Sequence, residues 1–530
     1  MDNDVNWSLT FSLVVASLVL FLLYRYLTST FTHFSERGIP GPKPVPIFGN
    51  LWGIWRVNLP QHDRDLVRKY GKIFGYFDGS NASLWVTDPE IIKAVFVKDF
   101  DHFTNRRNMT FESKIVRRMV SSARGQEWKD IRSSITPAFT SGKIKRVSVC
   151  LHSYKYKLHS NSNFSLKLKM STLIKACADQ LAVKFDRIAT TEGKLNAKIQ
   201  FSAFTMDVIA RCAFGIKIEN LGEKDDQFMA KAKAIFNAPV NKTPLAVIPL
   251  IYPKLIPILG ERLFLTEGFQ FFIQLLENLI KDRTASKQKY EDFVQVATEA
   301  ITEYTKEVEG KSVPKWNVEE IEEIVIAQSV LFLLAGFDTT ATTLTNIVFL
   351  LALNPEVQSR LYDEIAKKME FYAEVKHEML IDLPYVDQAI NEVLRMYPPV
   401  PRVERECNKD VIYNGIQIKK GTIVTVSSFA LHYDPDNYPE PEKFNPDRWN
   451  ADNKAERNPY TFLPFGMGPR NCVGMRFAME EIKIALCTII QQFHFFPVAE
   501  TPETMQFEKG FMQVTQPVNA VVGIERRTAQ

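Results

Sequence analysis

The chain has 530 residues, 45% hydrophobic and 24% charged, with a net charge of +4. These proportions favour neither a disordered chain nor a polytopic membrane protein, and so small a net charge gives no argument for a nucleic-acid partner. The six cysteines, at positions 150, 177, 212, 407, 472 and 487, form no CxxC pair and no dense framework, which fits a reducing compartment and speaks against zinc.

Taken in order, Trp7 to Tyr24 carries no charge; as a helix it spans roughly 27 Å, close to a hydrocarbon core of about 30 Å. Residues 1–27 therefore read as a single-pass membrane anchor. Asp2 and Asp4 precede it while Arg25, Arg37 and Lys43 follow, which places the bulk of the chain in the cytoplasm. The acidic start, and the lack of a small-residue cleavage site after Leu23, disfavour a signal peptide. Residues 28–50 read as a linker whose Pro40-Gly41-Pro42-Lys43-Pro44-Val45-Pro46 run is a stiff hinge, and 51–530 as one domain.

Asp78-Gly79 before Ala82–Val86 suggests a hairpin. Arg106 and Arg107 alone would be a solvated surface. Trp128 and Arg132 fall four apart, so on a helix they share a face where two donors can bind one anion. Residues 147–169 are polar, without cap or periodicity, and read as an atypical insertion. The stretch 239–272, rich in Pro, Leu, Ile and Phe, is either core or an apolar lid that dips into a membrane.

A long helix is predicted from Val318, with Asn317 as N-cap and Glu320 at N3, to just before Asn354-Pro355. Residues 330–350 are apolar on nearly every face and must be buried. Inside lies Ala335-Gly336-Phe337-Asp338-Thr339-Thr340, poor helix material in which the glycine alone costs about 1 kcal/mol. Such a break of local rules in a buried place marks function; the plain alternative is a threonine bonding back to its own helix. Glu392 and Arg395 share a helix face and alone would be a surface pair worth ~0.5 kcal/mol. Asn414-Gly415 between Asp410–Tyr413 and Ile416–Ile418 reads as a hairpin with a primed turn.

The last signal is Phe465-Gly466-Met467-Gly468-Pro469-Arg470-Asn471-Cys472-Val473-Gly474, a glycine-punctuated loop before an apolar helix from Met475 to about Phe493. The glycines permit tight turning and close approach to a flat partner, and the positive end of the helix favours thiolate at Cys472. A buried structural cysteine is the alternative. The complete pattern Phe-Gly-x-Gly-x-Arg-x-Cys-x-Gly closely resembles the haem-binding loop of the cytochrome P-450 family, and the other motifs follow in the order seen in its microsomal, xenobiotic-metabolising animal clan.

That resemblance implies a mainly α fold with a small β-rich part, holding haem b between the long helix and the cysteine loop. It implies Cys472 as the iron ligand with Phe465 packed beside it; Arg106, Trp128, Arg132, Arg405 and Arg470 at the propionates; and Asp338 and Thr339 in oxygen activation and proton relay, with Gly336 opening a groove for oxygen. Glu392, Arg395 and Arg448 would form a structural lock, while Leu331, Leu334, Ala335 and Val400 would line the substrate pocket. The implied reaction is monooxygenation of a small lipophilic substrate (a xenobiotic, fatty acid or steroid) at the endoplasmic reticulum membrane. Electrons would come from NADPH through cytochrome P-450 reductase docking near Lys129 and Arg476, with cytochrome b5 a second candidate partner; the chain has no Gly-rich nucleotide fingerprint of its own. An oxygen-independent isomerase or dehydratase on the same fold, and a non-catalytic haem-binding protein, are the rival readings. Residues 147–169 depart from the family pattern, as an exposed loop or as a gene-model artefact.

Overall fold

The computed structural model describes residues 7–108, 113–139, 162–218, 227–236, 242–259, 266–286, 292–307, 316–510 and 514–527. Residues 147–161 of the presumed insertion lie outside them; 162–169 open a helix. Helix α1 spans Trp7–Thr28; its apolar side chains from Phe11 to Tyr24 are exposed, and Thr10–Thr28 is long and apolar enough to cross a membrane. The start of the proline-rich stretch after it packs on the protein. Phe34 and Ile39 are buried, the Gly75 N–H donates to the Pro40 carbonyl at 2.8 Å, and a Cβ on Gly41 would meet the Gly75 oxygen at 2.2 Å. The apolar residues beside the prolines supply the burial that docks it.

The expected hairpin is β1 (Ile73–Asp78) with β2 (Asn81–Val86), turning through Gly79 at φ 64°. After several short helical turns come α2 (Gly125–Phe139), α3 (Ser162–Thr191), β3 (Lys194–Asn196) and α4 (Ala197–Phe214). Helix α5 (Val318–Leu353) has the bounds its sequence predicts. Asn317 Oδ1 accepts from the Glu320 N–H at 2.8 Å while the Asn317 N–H donates to Glu320 Oε2 at 3.1 Å, a reciprocal cap. Because its middle is apolar all round, α5 runs through the core. Helix α4 lies so close that a Cβ on Gly336 would come within 2.6 Å of Ile209 Cδ1, and Thr205 donates its hydroxyl to the Phe337 carbonyl at 2.9 Å. The smallness of Gly336 thus serves helix packing; the oxygen groove expected of it is not what the structure places there.

Helices α6 (Pro355–Met369) and α7 (Pro384–Met396) lead to β4 (Arg402–Glu406) and β5 (Ile423–Ser427). These complete a sheet ordered β1-β2-β5-β4, with β2 and β5 parallel. Between them Asn414 and Gly415, at φ 49° and 78°, make the primed turn. Helix α8 (Met475–Gln492) runs into β6 (Phe493–Phe496), and β7 (Val521–Arg526) lies between β3 and β6.

Two large cores share α5: one with α3, α7 and α8, the other with α2 and the segments around Phe269 and Phe272. The 239–272 stretch therefore divides. Phe269 and Phe272 are core; Val247, Leu250 and Ile251 pack on Leu51, Ile54 and Trp55, whereas Leu245, Leu255, Ile258 and Leu259 stay exposed.

Gln358 of α6 is fully buried and ties the cores to the C-terminal sheet. Its amide donates to the Leu351 and Phe495 carbonyls at 3.1 and 2.8 Å and accepts the Phe495 N–H at 2.9 Å. Gln358→Met keeps the volume and strands those groups, so a loss of about 1–3 kcal/mol is expected, read as a lower thermal midpoint; an unchanged midpoint would refute the tie.

Candidate active site around Cys472

The cysteine loop is built from backbone bonds. Gly466 and Gly468 sit at φ 68° and 71°, Gly466 donates to the Leu463 carbonyl at 3.0 Å, and the Cys472 N–H closes the loop on the Phe465 carbonyl at 2.8 Å. A Cβ on Gly468 would stand 1.8 Å from the Phe96 carbonyl oxygen, so the close approach at this glycine is to another stretch of backbone. Gly474 caps α8, and the Cys472 side chain is exposed. Surrounding protein pushes its thiol pKa up; the N–H groups of Gly474 and Met475 and the charges of Arg132 and Arg106 oppose that without overcoming it. The helix start alone does not secure a thiolate, whereas a metal cation on the sulfur deprotonates it outright.

Four arginines gather around this loop. Arg470 is buried, donates Nη2 to the Ala123 carbonyl at 2.5 Å and lies 4.3 Å from the Trp128 ring centre, leaving Nε and Nη1 without a partner. Arg405 is buried, donates to the Glu404 carbonyl at 2.8 Å and leaves Nε without a partner. Arg106 reaches the Arg470 carbonyl at 3.5 Å. Arg132 holds Asn471, with Nη1 3.0 Å from its carbonyl and Nη2 2.9 Å from its Oδ1. Trp128 and Arg132 thus act apart here, the indole as a platform for Arg470 and the guanidinium as a clamp on the residue before Cys472.

The charges acting on Arg470 and Arg405 are all of their own sign. Burial, then Arg106, Arg124 and Arg132, push Arg470 down to about 9; burial, then Arg106 and Arg470, push Arg405 well below its ordinary value. Buried guanidiniums in this state call for an anion that brings several oxygens. Among the described residues no three His, Cys, Asp or Glu side chains gather to cage a metal ion, but an iron that arrives in its own macrocycle needs only one protein ligand. Haem b, whose iron would take Cys472 and whose two carboxylates would take the arginines, fits this donor set.

On α5, Leu331, Ala335 and Thr339 repeat every four residues and form a partly open stripe; Ala335 is exposed although the helix around it is buried. Leu334 belongs to the core, and Val400 is half-buried. The Thr339 hydroxyl donates to the Ala335 carbonyl at 2.6 Å, the back-bonded state. Asp338 points elsewhere. It is buried, accepts from Lys198 Nζ at 2.8 Å and from the Gln516 amide, and borders a cleft that Lys233 and Glu508 also line. Lys198 further donates to Thr342 Oγ1 at 2.8 Å. Sequence reasoning missed Lys198 and Gln516, since nothing local marks residues that meet Asp338 only across the fold.

The expected triad is present and larger than expected. Glu392 and Arg395 are both fully buried, joined by two bonds of 2.9 Å, and Arg448 donates to Glu392 at 3.2 Å. Trp449 Nε1 at 2.9 Å and the Asn445 N–H at 3.0 Å complete the carboxylate's shell. Glu392→Ala leaves two guanidiniums and an indole N–H unpaired, a change of about 3–5 kcal/mol. The variant is expected to lose soluble, cofactor-loaded protein; normal loading would overturn this role.

Comparison with known proteins gives a consistent result. The family sequence model described as Cytochrome P450 matches residues 39–159 and 152–522, two pieces that meet inside 147–169. Cytochrome P450 3A9 of Rattus norvegicus is 36% identical over 526 residues, covering 98% of this chain and 97% of that one. Cytochrome P450 3A16 of Mus musculus is 36% identical over 518 residues (96% and 95%), and Cytochrome P450 3A28 of Bos taurus 36% over 516 residues (96% and 94%).

Proposed function

The chain belongs to the cytochrome P450 family and is a haem-thiolate monooxygenase that draws NADPH-derived electrons through a reductase; from that premise we propose that Cys472 is its axial ligand and that its substrates are small and lipophilic. The observation that carries the first assignment is the gathering of unpaired guanidinium nitrogens of Arg405 and Arg470, with Arg106 beside them, around the loop of Cys472. Haem, when bound, supplies the iron at which dioxygen is activated. Arg405, Arg470 and Arg106 would hold its two carboxylates, Arg132 and Phe465 would fix the loop, and Cys472 would ligate the iron as a thiolate, its thiol proton passing to solvent.

The apolar character of Leu331, Ala335 and Val400 supports a lipophilic substrate. The position of Thr339, next along the open stripe, supports a part in proton relay for its hydroxyl once that leaves the Ala335 carbonyl. Asp338, tied to Lys198 at the cleft, is the link to solvent. Exposed Lys129 and Arg476 support a reductase-docking face near Cys472, with cytochrome b5 as a second occupant; Lys129 keeps an ion pair with Asp101 at 3.3 Å.

Anchoring in the endoplasmic reticulum, single-pass with residues 51–530 facing the cytoplasm, is supported by α1 and by the exposed apolar side chains of Ile47, Trp52, Leu255 and Ile258. The segments bearing them pack together through Trp55 and Ile251. Such a patch beside an anchor fits a lid resting on the bilayer. Residues 147–169 fit an insertion, since the two family matches overlap there.

The decisive experiment is the reduced, carbon monoxide difference spectrum of the full chain beside Cys472→Ser. A strongly red-shifted Soret band, absent in the variant, is expected. If the full chain lacks the band, and a form without residues 147–169 lacks it too, the Cys472 assignment fails. For Thr339→Val an unchanged band is expected, with less product per NADPH consumed; unchanged product yield would remove Thr339 from proton delivery.

A further inference from the structure

His432 belongs to none of the motifs read from the sequence, yet it lies between two of them. It ends the short helix Ser428–His432 that follows β5 and is fully buried. Its Nδ1 is 3.1 Å from the Arg395 carbonyl oxygen, and its Nε2 is 3.0 Å from the Leu463 amide nitrogen. A carbonyl only accepts and an amide N–H only donates, so the two bonds together fix one tautomer: Nδ1 carries the proton and Nε2 the lone pair. Burial and the Arg395 guanidinium, whose Nη1 donates to the His432 carbonyl at 3.0 Å, keep the ring neutral, with its pKa lowered to about 3.

Both ends of this bridge matter. Arg395 is the residue locked by Glu392. Leu463 is where the cysteine loop begins: its carbonyl accepts the Gly466 N–H at 3.0 Å, and the Phe465 carbonyl, within that turn, accepts the Cys472 N–H at 2.8 Å. Hydrogen bonds, joined by the covalent chain within Arg395 and Leu463, lead from the Glu392 carboxylate through Arg395, the imidazole and Leu463 to the amide of Cys472. Pro464 follows Leu463 and has no N–H to give, so the Leu463 amide is the last donor before the turn that can be held from outside.

We propose that His432 is a positioning residue for the thiolate ligand, its imidazole fixing the entry of the cysteine loop so that the Cys472 sulfur keeps its place beneath the arginines. This rests on the assignment of Cys472 above. The competing role is space-filling, since the ring also packs 5.3 Å from Phe462 and 6.5 Å from Tyr438. The two roles make opposite demands on substitutions. Phenylalanine fills the space and bonds to neither group; glutamine is smaller than the ring but offers a donor and an acceptor on one amide.

The test uses the full-length holoenzyme and compares wild type, His432→Phe and His432→Gln at equal haem content. The readout is the reduced carbon monoxide spectrum, as the share of the red-shifted thiolate band against the band of haem that has lost its thiolate, followed over time. A several-fold smaller or shorter-lived thiolate band is expected for His432→Phe, with most of it restored by His432→Gln. If His432→Phe yields no holoenzyme while His432→Gln gives a normal band, the bonds again decide and the proposal stands. A wild-type band in His432→Phe, or a His432→Gln no better than His432→Phe, would overturn it. A wild type without the red-shifted band sinks the Cys472 assignment and this inference with it.

Discussion

The carboxylate of Glu392 has no access to water, and hydrogen bonds link it to the entry of the cysteine loop. It accepts five hydrogen bonds, two from Arg395 and one each from Arg448, Trp449 and the Asn445 backbone. A buried carboxylate is tolerable only when its lone pairs are filled this completely. Arg395 is satisfied in turn, with carbonyls of His432 and Lys443 and the rings of Tyr433 and Tyr438 around it. Helix α7 and the 445–449 turn are thereby held in one place, and His432 carries that placement on to Leu463. The loop of Cys472 starts from a fixed frame.

The arginines around Cys472 show the opposite condition. Where Glu392 gathers donors until every oxygen is used, Arg405 and Arg470 are buried with nitrogens to spare and only like charges acting on them. The two sites, joined through the same loop, separate the roles that buried charge can have in a protein. A satisfied cluster fixes geometry, and an unsatisfied one of a single sign is a receptor for the opposite sign. The distinction also explains why Arg107, adjacent to Arg106, belongs to the frame: its guanidinium is taken up by Asp78 at 2.7 Å and Glu404 at 3.0 Å.

What could be read from the sequence was whatever a local signal encodes. The reciprocal cap at Asn317 and Glu320, the uniform apolarity of α5, the Asn414-Gly415 turn and the glycine spacing before Cys472 are each short-range, and each carries its own physical reason. Long-range contacts left no such mark. Lys198 meets Asp338, Gln358 meets Phe495 and His432 meets Leu463 across tens of residues or more. Residue type alone could not have shown that Gly336 yields to Ile209, that Gly468 yields to Phe96, or that the proline-rich stretch after α1 is docked. The stripe of Leu331, Ala335 and Thr339 was half legible: a spacing of four names a helix face, but only packing tells which face is left open, and it set Leu334 in the core.

The continuity of α5 constrains how protons reach its open stripe. Asp338 and Thr339 are consecutive on an unbroken helix, so their side chains diverge by about 100°, and the structure uses that divergence. Asp338 faces Lys198 and Gln516 at the cleft, while Thr339 lies on the open stripe with its hydroxyl turned back to Ala335. The two cannot exchange a proton directly in these rotamers. Delivery through this pair requires the Lys198 ion pair to open and the Thr339 hydroxyl to leave its carbonyl. Both are side-chain rotations about the edge of one helix and need no backbone rearrangement. The ion pair is the stronger restraint, because Asp338 is buried and Lys198 is held a second time by Thr342. On the proposed relay, access of protons would therefore be set by a cation on α4, about 100° round α5 from the open stripe.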